Sequence, residues 1–337
     1  MKKKILLLFP QGIGDMIYTV DQFLFNIKSL STNYELTFII QYKQNFDLLA
    51  GLIKNTKFKA YYTPRKSIEY LYLFRNVFFT KYDYLLIDPN VNIIKASIFS
   101  IFINSKTKIF KNFKFHQFFF NKVLNLKKLS RHQQMFELSK IFNNSNKINR
   151  KYNYKKFNLS KFFKDDNTYQ NIIGVAPGSG DLEKHKRWPK EYFVDLINQI
   201  ISENKINKIF IFGSHEENNL LDYLKKNCKS SKIYIYNKDI ILSLQKLKQC
   251  KFLIANDNGM IHAAQCLEIN HIAIIGPTNP IQFVHKSLNN FIKLNLSCSP
   301  CYDKKRFGCG DEICLKNLNP TKVKNKIYEI EKQNNIF

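Results

Sequence analysis

The chain has 337 residues, 45% of them hydrophobic and 23% charged, enough for about two domains with separate buried cores. That excludes a disulfide-stapled mini-protein and a chain disordered throughout. Fifty-three Lys and Arg against 26 Asp and Glu leave a net charge of +27, accompanied by 30 Phe and 18 Tyr, so the expected partners are anions: nucleic acid, a membrane surface or a phosphorylated substrate.

The charge is uneven: residues 1–164 hold 29 basic and 8 acidic residues, residues 165–337 hold 24 and 18. Two halves facing different partners would produce that split. The apolar run Ile5–Phe9 is too short for a signal peptide and ends at Pro10-Gln11-Gly12, so it reads as a buried first strand. No segment reaches the roughly 18 uninterrupted apolar residues of a spanning helix, which points to the cytoplasm. Further short apolar runs follow at 36–40, 84–87, 172–176, 208–212, 252–255 and 271–275, alternating with longer helical patterns. Such alternation predicts parallel sheets covered by helices. A second strand-then-glycine unit begins at Ile172 after the polar, basic stretch 143–166, so the expected domains are 1–165 and 166–337.

Four strand ends carry the candidate chemistry. Pro10-Gln-Gly12-Ile-Gly14-Asp15 leads from the first strand into a helical pattern at 16–30, and glycines there would let the backbone turn tightly toward a ligand. Asp15 is read either as a catalytic carboxylate or as a helix N-cap. Gly174-Val-Ala-Pro-Gly178-Ser179-Gly180 is followed by Lys184-His-Lys186-Arg187-Trp188-Pro189. Its amides suit a phosphate that Lys186 and Arg187 would neutralise, or it is a plain loop before a helix. In Phe210-Ile-Phe-Gly213-Ser-His-Glu-Glu217, an acidic residue past a strand end suits ribose hydroxyls or a solvated helix cap. Asp257-Asn258-Gly259-Met-Ile-His262 and Gly276-Pro-Thr278-Asn-Pro280 lie at neighbouring strand ends, presenting small polar groups to one crevice.

These motifs, in this order, resemble glycosyltransferase family nine, the ADP-heptose:lipopolysaccharide heptosyltransferases. The resemblance implies an α/β GT-B architecture, two Rossmann-like domains facing a cleft, with acceptor on the N-terminal domain near Gly12 and Gly14 and nucleotide sugar on the C-terminal one. It implies an inverting transfer of heptose from ADP-heptose to a lipopolysaccharide core acceptor, with Asp15 as general base and Lys186 stabilising the departing diphosphate. Gly178, Ser179, Arg187, Asn258, Gly259 and Thr278 would line the donor site, Glu217 would hold ribose, and Asp257 with His262 would line the sugar-diphosphate pocket. Fixed cations of this kind can replace a divalent metal, so no catalytic cofactor is expected. Alternatives are another nucleotide sugar or a protein acceptor on the same fold and, from a different class, a basic nucleic-acid-binding protein. No helix-turn-helix, RNP or zinc-finger pattern accompanies the charge, which disfavours nucleic acid.

Two features stand apart. Cys298, Cys301, Cys309 and Cys314 form a C-x2-C-x7-C-x4-C array in the tail segment 298–314, read as a structural zinc or iron site, as thiols or, third, as disulfides; the array is expected to lie outside the cleft motifs. Residues 106–128 interleave Lys with Phe and contain no acidic residue. That segment is read either as an interfacial element on the anionic inner face of the cytoplasmic membrane, which would make the protein peripheral there, or as an ordinary helix with Phe118, Phe119, Phe120 and Leu124 in the core.

Overall fold

The computed structural model describes residues 2–27, 30–64, 66–127, 129–143, 158–163, 171–280, 290–301 and 311–334. The chain divides into two compact units, Met1–Lys155 and Lys156–Phe337. The change expected near 165 falls in 164–170, outside the described residues.

The first unit is built on six parallel strands, β1 (Lys3–Leu8), β2 (Tyr34–Ile40), β3 (Phe58–Tyr62), β4 (Tyr82–Ile87), β5 (Ser105–Lys111) and β6 (Lys122–Leu124). They lie in the order β3-β2-β1-β4-β5-β6. The second unit repeats the plan with β7 (Ile172–Ala176), β8 (Lys208–Phe212), β9 (Ile233–Tyr236), β10 (Phe252–Asn256), β11 (Asn270–Ile274) and β12 (Phe291–Ile292), ordered β12-β11-β10-β7-β8-β9. Each sheet is the doubly wound Rossmann arrangement, which reverses direction between its first and fourth strands and binds ligands outside the carboxyl ends at that point. The reversals fall at β1/β4 and β7/β10.

The central strands are apolar because helices cover both faces of each sheet. All five residues of β7 and of β10 are buried. In the second unit Trp188, Phe193, Leu196 and Ile200, from Trp188 and helix Lys190–Ile201, share a core with Leu315, Ile327 and Ile330 near the end of the chain. In the first unit, Leu73, Val77, Ala96 and Ile103 rest on one face of the sheet with Leu6, Leu85 and Ile87. Helix Arg131–Lys140 packs against the turn Thr19–Leu24.

The Lys/Phe stretch does not form the expected helix. It is divided among β5, the short 3-10 turn His116–Phe118 and β6. Phe120 is core and Phe119 packs against it, while Phe118 is exposed. Alternating lysines suit strands at a half-buried sheet edge better than a helix. Lys128 lies outside the described residues.

Candidate functional site

At the carboxyl end of β1 the chain runs through Gln11 and Gly12 into helix Ile13–Tyr18. Gly12 is extended (φ −69°, ψ 167°) and an added Cβ there would meet nothing within 4 Å, so Gly12 leaves open space, and the tight turn lies just before it at Pro10, where Gln11 N donates to Phe9 O at 2.8 Å. Gly12 is also the N-cap, which corrects the capping role considered for Asp15. Asp15 sits in the first turn, and its Oδ1 accepts from Arg131 Nε at 3.2 Å. Arg131 Nη2 donates at 2.6 Å to Asp88 Oδ2, one residue past the end of β4. One guanidinium therefore ties together two carboxylates from the two strand ends at the reversal.

Arg131 and Asp88 are buried, whereas the Asp15 side chain is one-third exposed. Burial opposes the Arg131 charge, but the two carboxylates more than offset it and hold its pKa above the ordinary guanidinium value. Ser130 caps the arginine's helix by accepting from Gln133 N, and Asp88 Oδ1 accepts from Asn90 N at 2.8 Å. Both ends of the clamp are thus fixed to backbone, and Asp15 Oδ2 makes no hydrogen bond among the described residues. This is a positioned carboxylate open to a hydroxyl group.

In the second unit the loop after β7 forms the 3-10 turn Asp181–Lys186, which delivers Lys186 to the carboxyl end of β10. Its Nζ lies 2.9 Å from Glu183 Oε1 and 3.4 Å from Asp257 Oδ2. Thr278 Oγ1, from the loop after β11, donates to the same Asp257 oxygen at 2.8 Å. Asn258 caps helix Gly259–Cys266 through Met260 N, and its Nδ2 donates to the carbonyls of Ala176 and Gly178. His262 is half-buried in the first turn of that helix.

Arg187 donates from Nε to Ser179 Oγ at 3.1 Å and from Nη2 to Ser179 O at 2.6 Å, and reaches Glu217 Oε1 at 3.4 Å. The other Glu217 oxygen accepts from Ser214 N and Oγ. Capping and pairing with Arg187 therefore coexist in one half-buried side chain. Burial raises its pKa above the ordinary carboxylate value, against the pull of Ser214 and Arg187. A Cβ on Gly178 would stand 1.8 Å from Glu217 Oε1, so any larger residue there displaces the Glu217 carboxylate from Ser214 and Arg187.

The tail segment meets this site instead of lying outside it. Cys301 N donates to Pro277 O at 2.9 Å, Ser299 Oγ donates to Gly276 O at 2.8 Å, and a Cβ on Gly276 would meet Leu315 at 2.7 Å. Ser299, Cys301 and Leu315 consequently brace the loop that carries Thr278. Cys298 is exposed, Cys301 half-buried and Cys314 buried; Cys309 lies outside the described residues. Among the described residues no three His, Cys, Asp or Glu side chains are grouped to hold a metal.

Residues missed by the sequence reading are Asp88, Arg131 and Asn256. Asn256 accepts from Trp188 N and donates to Pro177 O, pinning both ends of the Lys186 loop to β10. Asp88 and Asn256 do carry a signal, a polar residue at the end of an apolar strand run.

The model of glycosyltransferase family 9 (heptosyltransferase) matches residues 71–309. Lipopolysaccharide heptosyltransferase 2 of Salmonella typhimurium is 28% identical over 116 residues, which make up 32% of this chain and 32% of that protein. The aligned stretch thus spans about a third of the length of this curated relative. Among solved structures, Escherichia coli ADP-heptose LPS heptosyltransferase II superposes with a TM-score of 0.66 at 17% identity, covering 99% of this chain and 100% of that one. E. coli heptosyltransferase WaaC with ADP gives 0.70 at 15% identity and 98% of both chains. These structures share the GT-B fold with this chain.

Proposed function

The chain belongs to glycosyltransferase family 9, and from that premise we propose that it is an inverting glycosyltransferase moving heptose from ADP-heptose to a lipopolysaccharide core acceptor. The observation that carries this reading is the meeting of Lys186, Asp257 and Thr278 at the β7/β10 reversal, a fixed cation and hydroxyl at the ends of neighbouring strands. Nucleotide diphosphates bind at such places.

In the proposed reaction the acceptor hydroxyl loses its proton to an Asp15 carboxylate oxygen while its own oxygen attacks the anomeric carbon. The bond from that carbon to the diphosphate oxygen breaks on the opposite face, the electron pair leaves with ADP, and configuration inverts. Negative charge grows on the diphosphate as the bond breaks, so Lys186, the Thr278 hydroxyl and the amides at the start of helix Gly259–Cys266 stabilise the transition state more than the ground state. The diphosphate competes with Glu183 for the Lys186 ammonium. Glu217, held by Ser214 and Arg187, is assigned to the ribose hydroxyls. Arg131 is a positioning residue: it aims Asp15 without touching substrate.

The site of action is the anionic inner face of the cytoplasmic membrane, where a glycolipid acceptor is presented. No described helix is long and apolar enough to cross a membrane. Cys298, Cys301, Cys309 and Cys314 are the residues that would hold a structural zinc or iron, although the three of them that the structure describes are not grouped around a metal site; elemental analysis decides between about one metal per chain and free thiols. The functional test is incubation of the purified protein with ADP-heptose and truncated core acceptors, followed by mass spectrometry. Heptose on the core is expected; heptose on a protein, or no product with any core acceptor, would overturn the assignment.

A further inference from the structure

We infer that the first unit docks on an anionic lipid bilayer through the outward faces of helix Ser67–Leu73, its continuation Phe74–Phe78, and helix Ile93–Phe102. Its purpose rests on the glycolipid reading above; the surface itself does not. Helix Ile93–Phe102 is reversed relative to an ordinary surface helix. Its small residues Ala96, Ser97 and Ser100 face the sheet, while Ile94 (68% exposed), Ile98 (53%) and Ile101 (61%) face water. Their i, i+4, i+7 spacing makes one continuous stripe. The neighbouring helix adds to it: the Phe78 ring lies against Phe99 and Phe102, and Phe74 stacks on Phe78 and meets the exposed ring of Phe79. Apolar surface of this extent marks an interaction site.

Charge selects the occupant. Between residues 64 and 104 there are three acidic side chains, of which Glu69 alone is exposed. Glu69 accepts from the backbone of Lys66, Asp83 is bound by Lys4 N and Lys106, and Asp88 is buried on Arg131. Lys66, Arg75, Lys81 and Lys95 are exposed and form no ion pair among the described residues. An apolar stripe flanked by unpaired cations matches acyl chains beneath anionic headgroups. A second copy of the chain, packed face to face about a twofold axis, would set these cations against one another. The helix also begins five residues after Asp88, whose carboxylate shares Arg131 with Asp15. A bilayer against this helix therefore lies beside the strand ends that carry the proposed base, and the contact expected at 106–128 moves mainly to 67–102.

The test is co-sedimentation of the full chain with phosphatidylglycerol and phosphatidylcholine vesicles at low and high salt. The parent is expected to favour phosphatidylglycerol. I94S/I98S/I101S should lose at least about tenfold in partitioning at both salt levels, since each buried isoleucine contributes apolar transfer that salt does not screen. K66Q/R75Q/K95Q should lose binding mainly at low salt. All three substituted isoleucines are exposed, so the melting curve should match the parent's. As a second readout, the Trp emission of I98W should shift to the blue on phosphatidylglycerol vesicles. Vesicle binding by the isoleucine triple variant equal to the parent's, an unshifted I98W, or a parent that dimerises and ignores vesicles would each overturn the proposal. Transfer to a lipid-free acceptor, measured on the same samples, separates the two readings: its loss in the parent counts against the glycosyltransferase assignment, and vesicle binding alone decides docking.

Discussion

Replacing Arg131 with Gln should uncouple the two halves of the acceptor-side clamp with a measurable cost. The guanidinium is buried between Asp88, itself buried at 2.6 Å, and the one-third exposed Asp15 at 3.2 Å. Its removal leaves the Asp88 carboxylate desolvated and without its cation, a loss of about 3–5 kcal/mol for a broken buried pair. For a unit of this size each kcal/mol lowers the melting temperature by roughly 2–4 °C, so a fall of roughly 6–20 °C is expected in the first unit. The chain has a single tryptophan, Trp188, in the core of the second unit. Circular dichroism should therefore show an early transition that Trp188 fluorescence does not follow. R131K restores the charge but not the planar fork that reaches both carboxylates. It should recover stability more fully than turnover, with the deficit in kcat and little change in KM for ADP-heptose. R131Q melting within a degree or two of the parent, or R131K with parental kcat, would refute the clamp.

Three further outcomes follow from single contacts. Glu183 neutralises Lys186 from a partly exposed position, so E183Q should free that charge and tighten ADP binding by about two- to fivefold, the worth of such a pair; calorimetric titration giving weaker binding would contradict it. G178A drives a Cβ to 1.8 Å from Glu217 Oε1 and should cost about 1–3 kcal/mol of stability and displace Arg187. G178A/E217A should regain the stability but not the ADP affinity, and chemical denaturation together with ADP titration checks both. Burial raises the Glu331 pKa to about 7. A carboxyl group raised in this way stabilises the fold below its unfolded value and loses that contribution as pH rises through the folded value, so the parent's unfolding midpoint should fall between about pH 5 and 7. E331Q should flatten that fall, and identical pH profiles would exclude Glu331 as its source.

The strands that were legible in the sequence are those buried on both faces. Ile172–Ala176 and Lys208–Phe212 match β7 and β8 residue for residue because an uninterrupted apolar run admits no other placement. Strands β3, β5 and β9 escaped, since Lys and Tyr alternate through half-exposed strands nearer the sheet edges and leave no such run. The donor-side motifs were readable because each lies on a short loop that turns at a strand end. The Arg131 clamp was not, because its partners stand 116 and 43 residues away and only the fold brings them together. The apolar stripe of helix Ile93–Phe102 shows the limit of periodicity: spacing reveals that Ile94, Ile98 and Ile101 share a face, but not that the sheet takes the opposite one.

The most direct test of the account is the turnover of D15N with ADP-heptose and a core acceptor, set beside its ADP affinity and melting curve. The substitution keeps the shape and one hydrogen-bond acceptor for Arg131 while removing the base. The account predicts parental ADP binding, a melting curve near the parent's and a fall in kcat of about 10²–10⁴-fold, the usual contribution of a positioned general base. Transfer of heptose by D15N at the parental rate would contradict it.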